Sequence, residues 1–175
     1  MMKFSTAIKF AAILSVVALA GCAEKPKPVP EAPPAPPAAA APAQVKTSSI
    51  VPGSAEDLRV NVGDTVHFAY NSAALDSTAK ETLQRQAAWL QKYPAVTVQV
   101  QGNCDPRGTR EYNLALGARR ASAAKEFLVS LGVSPARVDT ISYGKERPVC
   151  AESNASCWAK DRRDVTVITH GGATS

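Results

Sequence analysis

A sharp break in composition near residue 52 confines the folded structure to the second part of this 175-residue chain. Nine of the thirteen prolines lie between residues 26 and 52, mixed mostly with alanine. Residues 23–51 contain no Phe, Tyr, Trp or Leu. Such a segment buries too little apolar surface to offset the entropy that it would lose on ordering. We therefore expect residues 22–57 to be an extended, solvated tether.

The first 21 residues have the pattern of a secretory signal peptide. Two lysines precede an apolar run from Phe10 to Ala20, which is shorter than the roughly 20 residues needed to span a bilayer. The run is followed by Gly and Cys22, and the end of the segment looks like a bacterial lipobox, which predicts that Cys22 carries lipid. The alternative is an ordinary signal peptide that is cleaved near a cysteine. Ala23, where inner-membrane lipoproteins have Asp, resembles lipoproteins of the outer membrane, and predicts a lipid anchor there with the domain in the periplasm.

The net charge of the chain limits the classes of partner that it is expected to bind. The full chain has 20 Lys and Arg against 15 Asp and Glu, and the predicted signal peptide removes two of the lysines. No basic run is interleaved with aromatic residues, which argues against a nucleic-acid partner despite the basic isoelectric point. An anionic polymer with its own carboxylates is compatible with this mild positive charge.

Hydrophobic periodicity predicts one α/β domain over residues 58–169, followed by a flexible tail, 170–175. The predicted strands show alternating apolar and polar residues and cover 58–62 with 65–70, 96–100, 138–143 and 165–169. The predicted helices show a 3.6-residue apolar period and cover 76–92 and 111–130. Thr78 and Glu81 are predicted to cap the first helix, and Gly132 is predicted to end the second.

The order β-α-β-α-β-β constrains the architecture. Strands that are joined by helices run parallel, and the helices then cover one face of the sheet. The pattern therefore predicts a two-layer sandwich with a mixed four-stranded sheet and both helices on one face.

The most distinctive segment is the loop 102–109 with the helix that follows it. The loop carries Asp105, and the helix carries Arg120 fifteen residues later. A carboxylate and a guanidinium at one small pocket suit a ligand that has both an ammonium and a carboxylate group. Asn113, Gly117 and Arg120 share one helix face, because four and three residues separate them. The alternative is that Asp105 caps the loop and pairs with Arg120 as an internal salt bridge.

Catalytic motifs are absent from the sequence. It contains no Gly-x-Ser-x-Gly, His-Glu-x-x-His or Walker-type loop. We therefore predict a binding protein and not an enzyme, with no cofactor. A zinc site of Cys104, Cys150, Cys157 and His67 can be drawn, but their spacing does not support it, and no metal is predicted.

Five separated segments carry a family signature, and they cover 67–71, 102–113, 116–121, 141–148 and 158–163. Together they resemble the OmpA-like family of peptidoglycan-binding domains and, within it, the peptidoglycan-associated lipoproteins. The resemblance extends over the signal, the tether and the domain. It implies an OmpA-like fold and binding of the meso-diaminopimelate residue of the peptidoglycan stem peptide.

The resemblance also assigns ligand-binding roles to residues of this chain, namely Asp105, Arg120, Asn113, Arg162, Asn71 and Gly117. Asp105 would bind the ammonium of diaminopimelate and Arg120 its carboxylate. Gly117 would leave room for the ligand, and Arg162 or Arg163 would complete the rim. The alternative for the last pair is a solvated guard at a sheet edge.

Four positions depart from the family pattern. Asn71 replaces the usual Asp, Asn103 the usual His, Pro106 the usual Glu, and Asp161 the usual Asn. Asn103 donates and accepts hydrogen bonds as neutral histidine does, but it cannot become charged, so no pH response is expected from it. Pro106 fixes φ and removes one N–H, which either rigidifies the loop or removes a ligand donor.

The three cysteines that remain after the predicted lipidation of Cys22 are expected to have different roles. Cys150 and Cys157 lie in one short loop of an exported domain, and we predict that they form a disulfide. Cys104 is left over beside the proposed binding acid, either buried and inert or available for dimerisation.

The resemblance implies a lipoprotein that attaches the outer membrane to peptidoglycan non-covalently. It further implies a TolB-like periplasmic partner and a Tol-Pal system that supports envelope integrity and cell division. One alternative is a wall-binding lipoprotein outside that system. Another is a protein-interaction module whose wall site is disabled by the departures at 71, 103 and 106.

Overall fold

The structure is a computed structural model, and it describes residues 50–174. The predicted signal peptide, the lipidation at Cys22 and most of the predicted tether lie outside the described residues. Within the described range, no helix is long and apolar enough to cross a membrane.

The described residues form one four-stranded sheet and four α-helices. The strands are β1 (Thr65–His67), β2 (Thr97–Asn103), β3 (Val138–Gly144) and β4 (Arg163–His170). The helices are α1 (Ala55–Asp57), α2 (Ser77–Lys92), α3 (Arg110–Ser130) and α4 (Ala155–Asp161). A π-helix over Leu58–Val62 continues α1, and a short 3-10 helix over Pro135–Arg137 precedes β3.

The strand order across the sheet is β1-β4-β2-β3. β2 and β3 are parallel, as expected for strands joined by a helix, whereas β4 runs antiparallel to both β1 and β2. The predicted mixed sheet is confirmed. This order places the end of β2 beside the start of β4, so that residues from the two loops meet at one end of the sheet.

The core lies between the sheet and the helices α2 and α3. Its fully buried side chains include Val98, Val100, Leu83, Leu90 and Leu128. The predicted helix ends agree with the structure at Gly132, which has φ of 93° and follows the end of α3.

Helix α3 lies directly on β2 because two glycines face each other. A Cβ added at Gly102 would collide with the carbonyl of Gly117, and one added at Gly117 would collide with the Ser142 hydroxyl. Both glycines are buried. This close approach brings the first half of α3 against the loop that follows β2, where the candidate site lies.

The prediction of a strand over residues 58–62 is wrong. The residues form a π-helix that ends at Gly63, whose N–H donates to the Leu58 carbonyl at 2.9 Å. The helical entry begins with Ser54, which accepts a hydrogen bond from the Asp57 N–H at 3.1 Å. Leu58 is buried but Val60 is 52% exposed, so the apolar alternation does not correspond to one buried face.

Further boundaries differ from the prediction, and β1 ends at His67 and not at residue 70. The cap of α2 is Asp76, which accepts from the Ala79 N–H at 2.8 Å, and not the expected capping box. The short helix α4 was not predicted, because its seven residues make only about two turns, too few to show a recognisable apolar period. β4 continues to His170, and Ala173 bridges to Ser54, so the structured region extends at both ends beyond residues 58–169.

Candidate functional site

A pocket of about 270 Å³ opens where the loop after β2 meets the start of α3 and the segment after β1. The lining residues are Tyr70, Asn71, Cys104, Asp105, Arg107, Gly108, Tyr112, Asn113, Leu116 and Arg120. The structure therefore brings together four of the six predicted ligand-binding residues. Arg162 joins them through Asp105, whereas Gly117 does not line this pocket.

Asp105 is almost fully buried, and arginines surround its carboxylate. Arg107 donates to it through Nη2 at 2.7 Å, through Nε at 3.1 Å and through its backbone N–H at 3.2 Å. Arg162 donates from Nη1 at 3.4 Å. Burial alone would raise the pKa of Asp105, but the hydrogen bonds and charge of Arg107, with a smaller contribution from Arg162, hold it below its usual value. The acid is therefore ionised at neutral pH and binds cations.

Arg107 is held between two aromatic rings. Its guanidinium carbon lies 4.0 Å from the centre of the Tyr70 ring and 4.2 Å from that of Trp158. Tyr70 comes from the segment after β1 and Trp158 from α4. Cation–π contacts of this kind orient a guanidinium without closing it off from water, and the Arg107 side chain remains about one-third exposed.

Arg120 is fully buried, with no exposed surface. Its guanidinium donates to the carbonyls of Ser72 at 2.8 Å, Asn103 at 2.9 Å and Ala69 at 3.1 Å, and to the Cys104 sulfur at 3.5 Å. Burial lowers the pKa of Arg120 below its usual value, but arginine stays protonated in proteins. One of its five N–H groups has no acceptor among the described residues, and this side chain lines the pocket.

The two predicted charged residues do not pair with each other. The ion-pair partners of Asp105 among the described residues are Arg107 and Arg162, and Arg120 binds backbone carbonyls instead. The internal salt bridge between Asp105 and Arg120 is therefore absent from the structure. Both side chains line the same pocket.

The other predicted ligand-binding residues are Asn113, Asn71 and Gly117, and each has a different environment. The Asn113 amide donates to the carbonyls of Arg107 at 2.8 Å and Thr109 at 2.9 Å, which fixes the loop onto α3. Asn71 has φ of 53° and accepts a hydrogen bond from the Tyr112 hydroxyl at the pocket mouth. Gly117 faces the sheet, and the space beside it is filled by the packing against Gly102.

The two adjacent arginines at the start of β4, Arg162 and Arg163, also differ. Arg162 donates to the Phe68 carbonyl at 2.9 Å in addition to Asp105, and its side chain is 16% exposed. Arg163 donates weakly to two backbone carbonyls outside the pocket. Arg162 is therefore the member of the pair that reaches the candidate site.

A second buried acid lies behind the pocket. Asp164 is 1% exposed, and neither carboxylate oxygen is paired with another side chain of the described region. Burial raises the pKa of Asp164 to about 8, although the charge of Arg120 opposes this shift. At neutral pH this side chain is mostly uncharged.

Cys104 is buried between the pocket and this acid. Its thiol donates to the Asn113 carbonyl at 3.4 Å, and burial raises its pKa, which the charge of Arg120 only partly opposes. Of the two alternatives for this cysteine, the structure has the buried thiol, which is a poor nucleophile.

Cys150 and Cys157 form a disulfide, and therefore two of the four residues of the zinc alternative are already bonded to each other. No group of three or more His, Cys, Asp or Glu side chains in the described range is arranged to hold a metal ion. The disulfide precedes Trp158 directly and so supports the helix that stacks on Arg107.

Replacing both Cys150 and Cys157 by serine is expected to lower the free energy of unfolding by roughly 2 to 3 kcal/mol, because a short closed loop is released in the unfolded chain. Urea unfolding followed by far-UV circular dichroism measures this change. The matched control is Cys104→Ser, whose urea unfolding is measured with and without a reducing agent. A double variant as stable as the unmodified protein would show that the disulfide does not contribute.

The sequence analysis did not identify Tyr70, Arg107 and Tyr112, which line the pocket, or Trp158, which stacks on Arg107. All four lie within the segments that carried the family signature, which was the available signal. Their meeting depends on chain segments up to 88 residues apart, from Tyr70 to Trp158.

Comparison with known proteins agrees with this fold. The model of the OmpA family matches residues 67–162. The peptidoglycan-associated lipoprotein of Mesorhizobium japonicum is 47% identical over 93% of this chain and 92% of its own length. That of Agrobacterium fabrum is 49% identical over 93% of this chain and 86% of its own length. The chain belongs to the OmpA family and, within it, to the peptidoglycan-associated lipoproteins.

Solved structures show the same fold. The peptidoglycan-associated lipoprotein from Burkholderia pseudomallei has a TM-score of 0.59 at 39% identity, and the alignment covers 61% of this chain and 90% of that structure. The C-terminal domain of Helicobacter pylori MotB has a TM-score of 0.58 at 25% identity, with 61% and 84% covered.

Proposed function

We propose that this protein is an outer-membrane lipoprotein that binds peptidoglycan non-covalently through the diaminopimelate of the stem peptide. Its lipid would be attached at Cys22, and its domain would lie in the periplasm. It would thereby attach the outer membrane to the cell wall as part of a Tol-Pal system, with a TolB-like protein as partner. Membership of the peptidoglycan-associated lipoproteins supports this assignment.

The observation that carries the proposal is one pocket that is lined by both an ionised acid and a buried arginine. Asp105 offers a carboxylate to an ammonium group, and Arg120 offers an N–H to a carboxylate. Diaminopimelate presents both groups on its second α-carbon. A pocket of about 270 Å³ accommodates such a group, but not a glycan strand.

The departures from the family pattern leave these two charges in place. Asn71 is held at the pocket mouth by Tyr112, and Asn103 is buried behind Arg120 with its carbonyl bound by that arginine. Pro106 lies in the turn between Asp105 and Arg107, where the neighbouring N–H still reaches the acid. None of these three replacements fills the pocket.

The full-length protein in detergent is expected to co-sediment with sacculi that contain diaminopimelate, and Asp105→Ala is expected to stay in the supernatant. Loss of one partner of a desolvated charge pair costs roughly 2 to 5 kcal/mol of binding free energy. Sacculi with lysine in place of diaminopimelate lack the second carboxylate, and they should bind poorly.

The matched control is Asp139→Ala, which removes an exposed carboxylate from β3 away from the pocket. Thermal unfolding of each variant verifies that it is folded. Unmodified protein that remains in the supernatant, or equal sedimentation of Asp105→Ala, would contradict the proposal. Capture of a TolB-like protein from the same organism tests the partner separately.

A further inference from the structure

We propose that Arg107 competes with a ligand ammonium for the Asp105 carboxylate, so that ligand binding exchanges one cation for another at this acid. This inference rests on the proposed function, because it concerns the same carboxylate. It assigns to Arg107 the role of an internal competitor that is built into the loop.

The contacts of Asp105 define this role. A carboxylate has about four lone-pair positions, and four N–H groups occupy them here, three from Arg107 and one from Arg162. The two side-chain bonds from Arg107 form a fork on both oxygens, which is the strongest geometry available to an arginine and a carboxylate. A ligand ammonium therefore reaches Asp105 only when the Arg107 side chain leaves.

The surroundings of Arg107 allow it to leave. The side chain is about one-third exposed at the pocket, whereas Arg162 is 16% exposed and also bound to the Phe68 carbonyl. Of the two cations on Asp105, Arg107 is thus the one with a path into water. Its stacking on Tyr70 and Trp158 constrains the guanidinium plane but provides no second carboxylate.

Pro106 favours the arrangement in which Arg107 is bound to Asp105. Its fixed φ restricts the turn between Asp105 and Arg107, and the Arg107 backbone N–H bonds Asp105 at 3.2 Å across that turn. The proline therefore keeps the side chain of residue 107 near the acid before any ligand arrives. This position is a departure from the family pattern, so the strength of the competition is a property of this chain.

Exchange has a measurable consequence for affinity. If the ligand binds only those molecules in which Arg107 has left Asp105, the apparent affinity equals the intrinsic affinity multiplied by the fraction of molecules in that state. For a partly exposed ion pair this factor is modest, about fivefold. Removing the competitor should therefore tighten binding, whereas removing a residue that contacts the ligand would weaken it.

The test is calorimetric titration of the full-length protein in detergent with a soluble muropeptide that ends in diaminopimelate. Arg107→Gln is expected to bind about fivefold more tightly than the unmodified protein. The control for lost positive charge is Arg110→Gln. Arg110 is an exposed arginine at the start of α3 that pairs with Glu146, and the affinity of this variant should stay within about twofold of that of the unmodified protein.

Tryptophan emission gives a second readout. Departure of Arg107 from the Trp158 ring should change the emission of the unmodified protein on ligand addition, and Arg107→Gln should show a smaller change. Trp89 contributes a constant background because it is buried and bonded to Asp57. Thermal unfolding verifies that each variant is folded.

The outcomes separate the two proposals. Binding by the unmodified protein with equal or weaker binding by Arg107→Gln would overturn the exchange and leave the proposed function intact. Absence of muropeptide binding by both proteins would overturn the proposed function and the exchange together.

Discussion

Arg120→Ala is expected to lower the free energy of unfolding by about 3 to 5 kcal/mol and to abolish wall binding. The side chain is fully buried and bonds the carbonyls of Ala69, Ser72 and Asn103. Its removal takes a donor from three carbonyls, one of them in a fully buried hydrogen bond, and opens a cavity at the pocket floor. It also releases the segment after β1 from the end of β2, which together form the pocket walls.

The neighbouring residue provides the control. Arg119 has the same chemistry but is exposed on α3, so Arg119→Ala should change the unfolding free energy by less than about 0.5 kcal/mol. Urea unfolding and sacculus co-sedimentation measure the two effects on the same proteins. If Arg120→Ala is as stable as Arg119→Ala, the buried hydrogen bonds of Arg120 do not hold the pocket together.

The stability of this protein is expected to fall between pH 4 and pH 8 because of Asp164. The pKa of this group is raised from 3.8 to about 8 in the folded protein, so across this interval the folded state binds more protons than the unfolded state. Stability must therefore decrease as pH rises. At about 1.4 kcal/mol per pKa unit, the total loss is on the order of 5 kcal/mol.

Asp164→Asn isolates this contribution, since asparagine keeps the shape and cannot ionise. Unfolding free energies measured at pH 5, 7 and 8.5 should fall with pH for the unmodified protein and much less for the variant. The lowered pKa of Asp105 acts in the opposite direction, but only as pH falls below its usual range near 4, outside this interval. Parallel pH profiles for the two proteins would show that Asp164 titrates normally.

Local patterns in the sequence predicted much of the fold. Apolar residues on one face of 76–92 and 111–130 correspond to α2 and α3, and the alternating valines near 96–100 correspond to β2. These patterns succeed because burial of one face imposes a period on the sequence. The pattern over 58–62 failed, because a run of five residues satisfies strand alternation and a helical turn equally well.

The sequence by itself determined which charges this protein has available and on which elements they lie. The spacing of Asp105 and Arg120, and their place on a loop and the helix after it, followed from residue order and periodicity. Only the tertiary structure decided which cation each acid meets. Arg162 reaches Asp105 from 57 residues along the chain, and Arg120 binds the carbonyls of Ala69, Ser72 and Asn103, because packing brings these separate segments together. Asp164 is buried without an ion-pair partner among the described residues, and this burial, which depends on the same packing, raises its pKa.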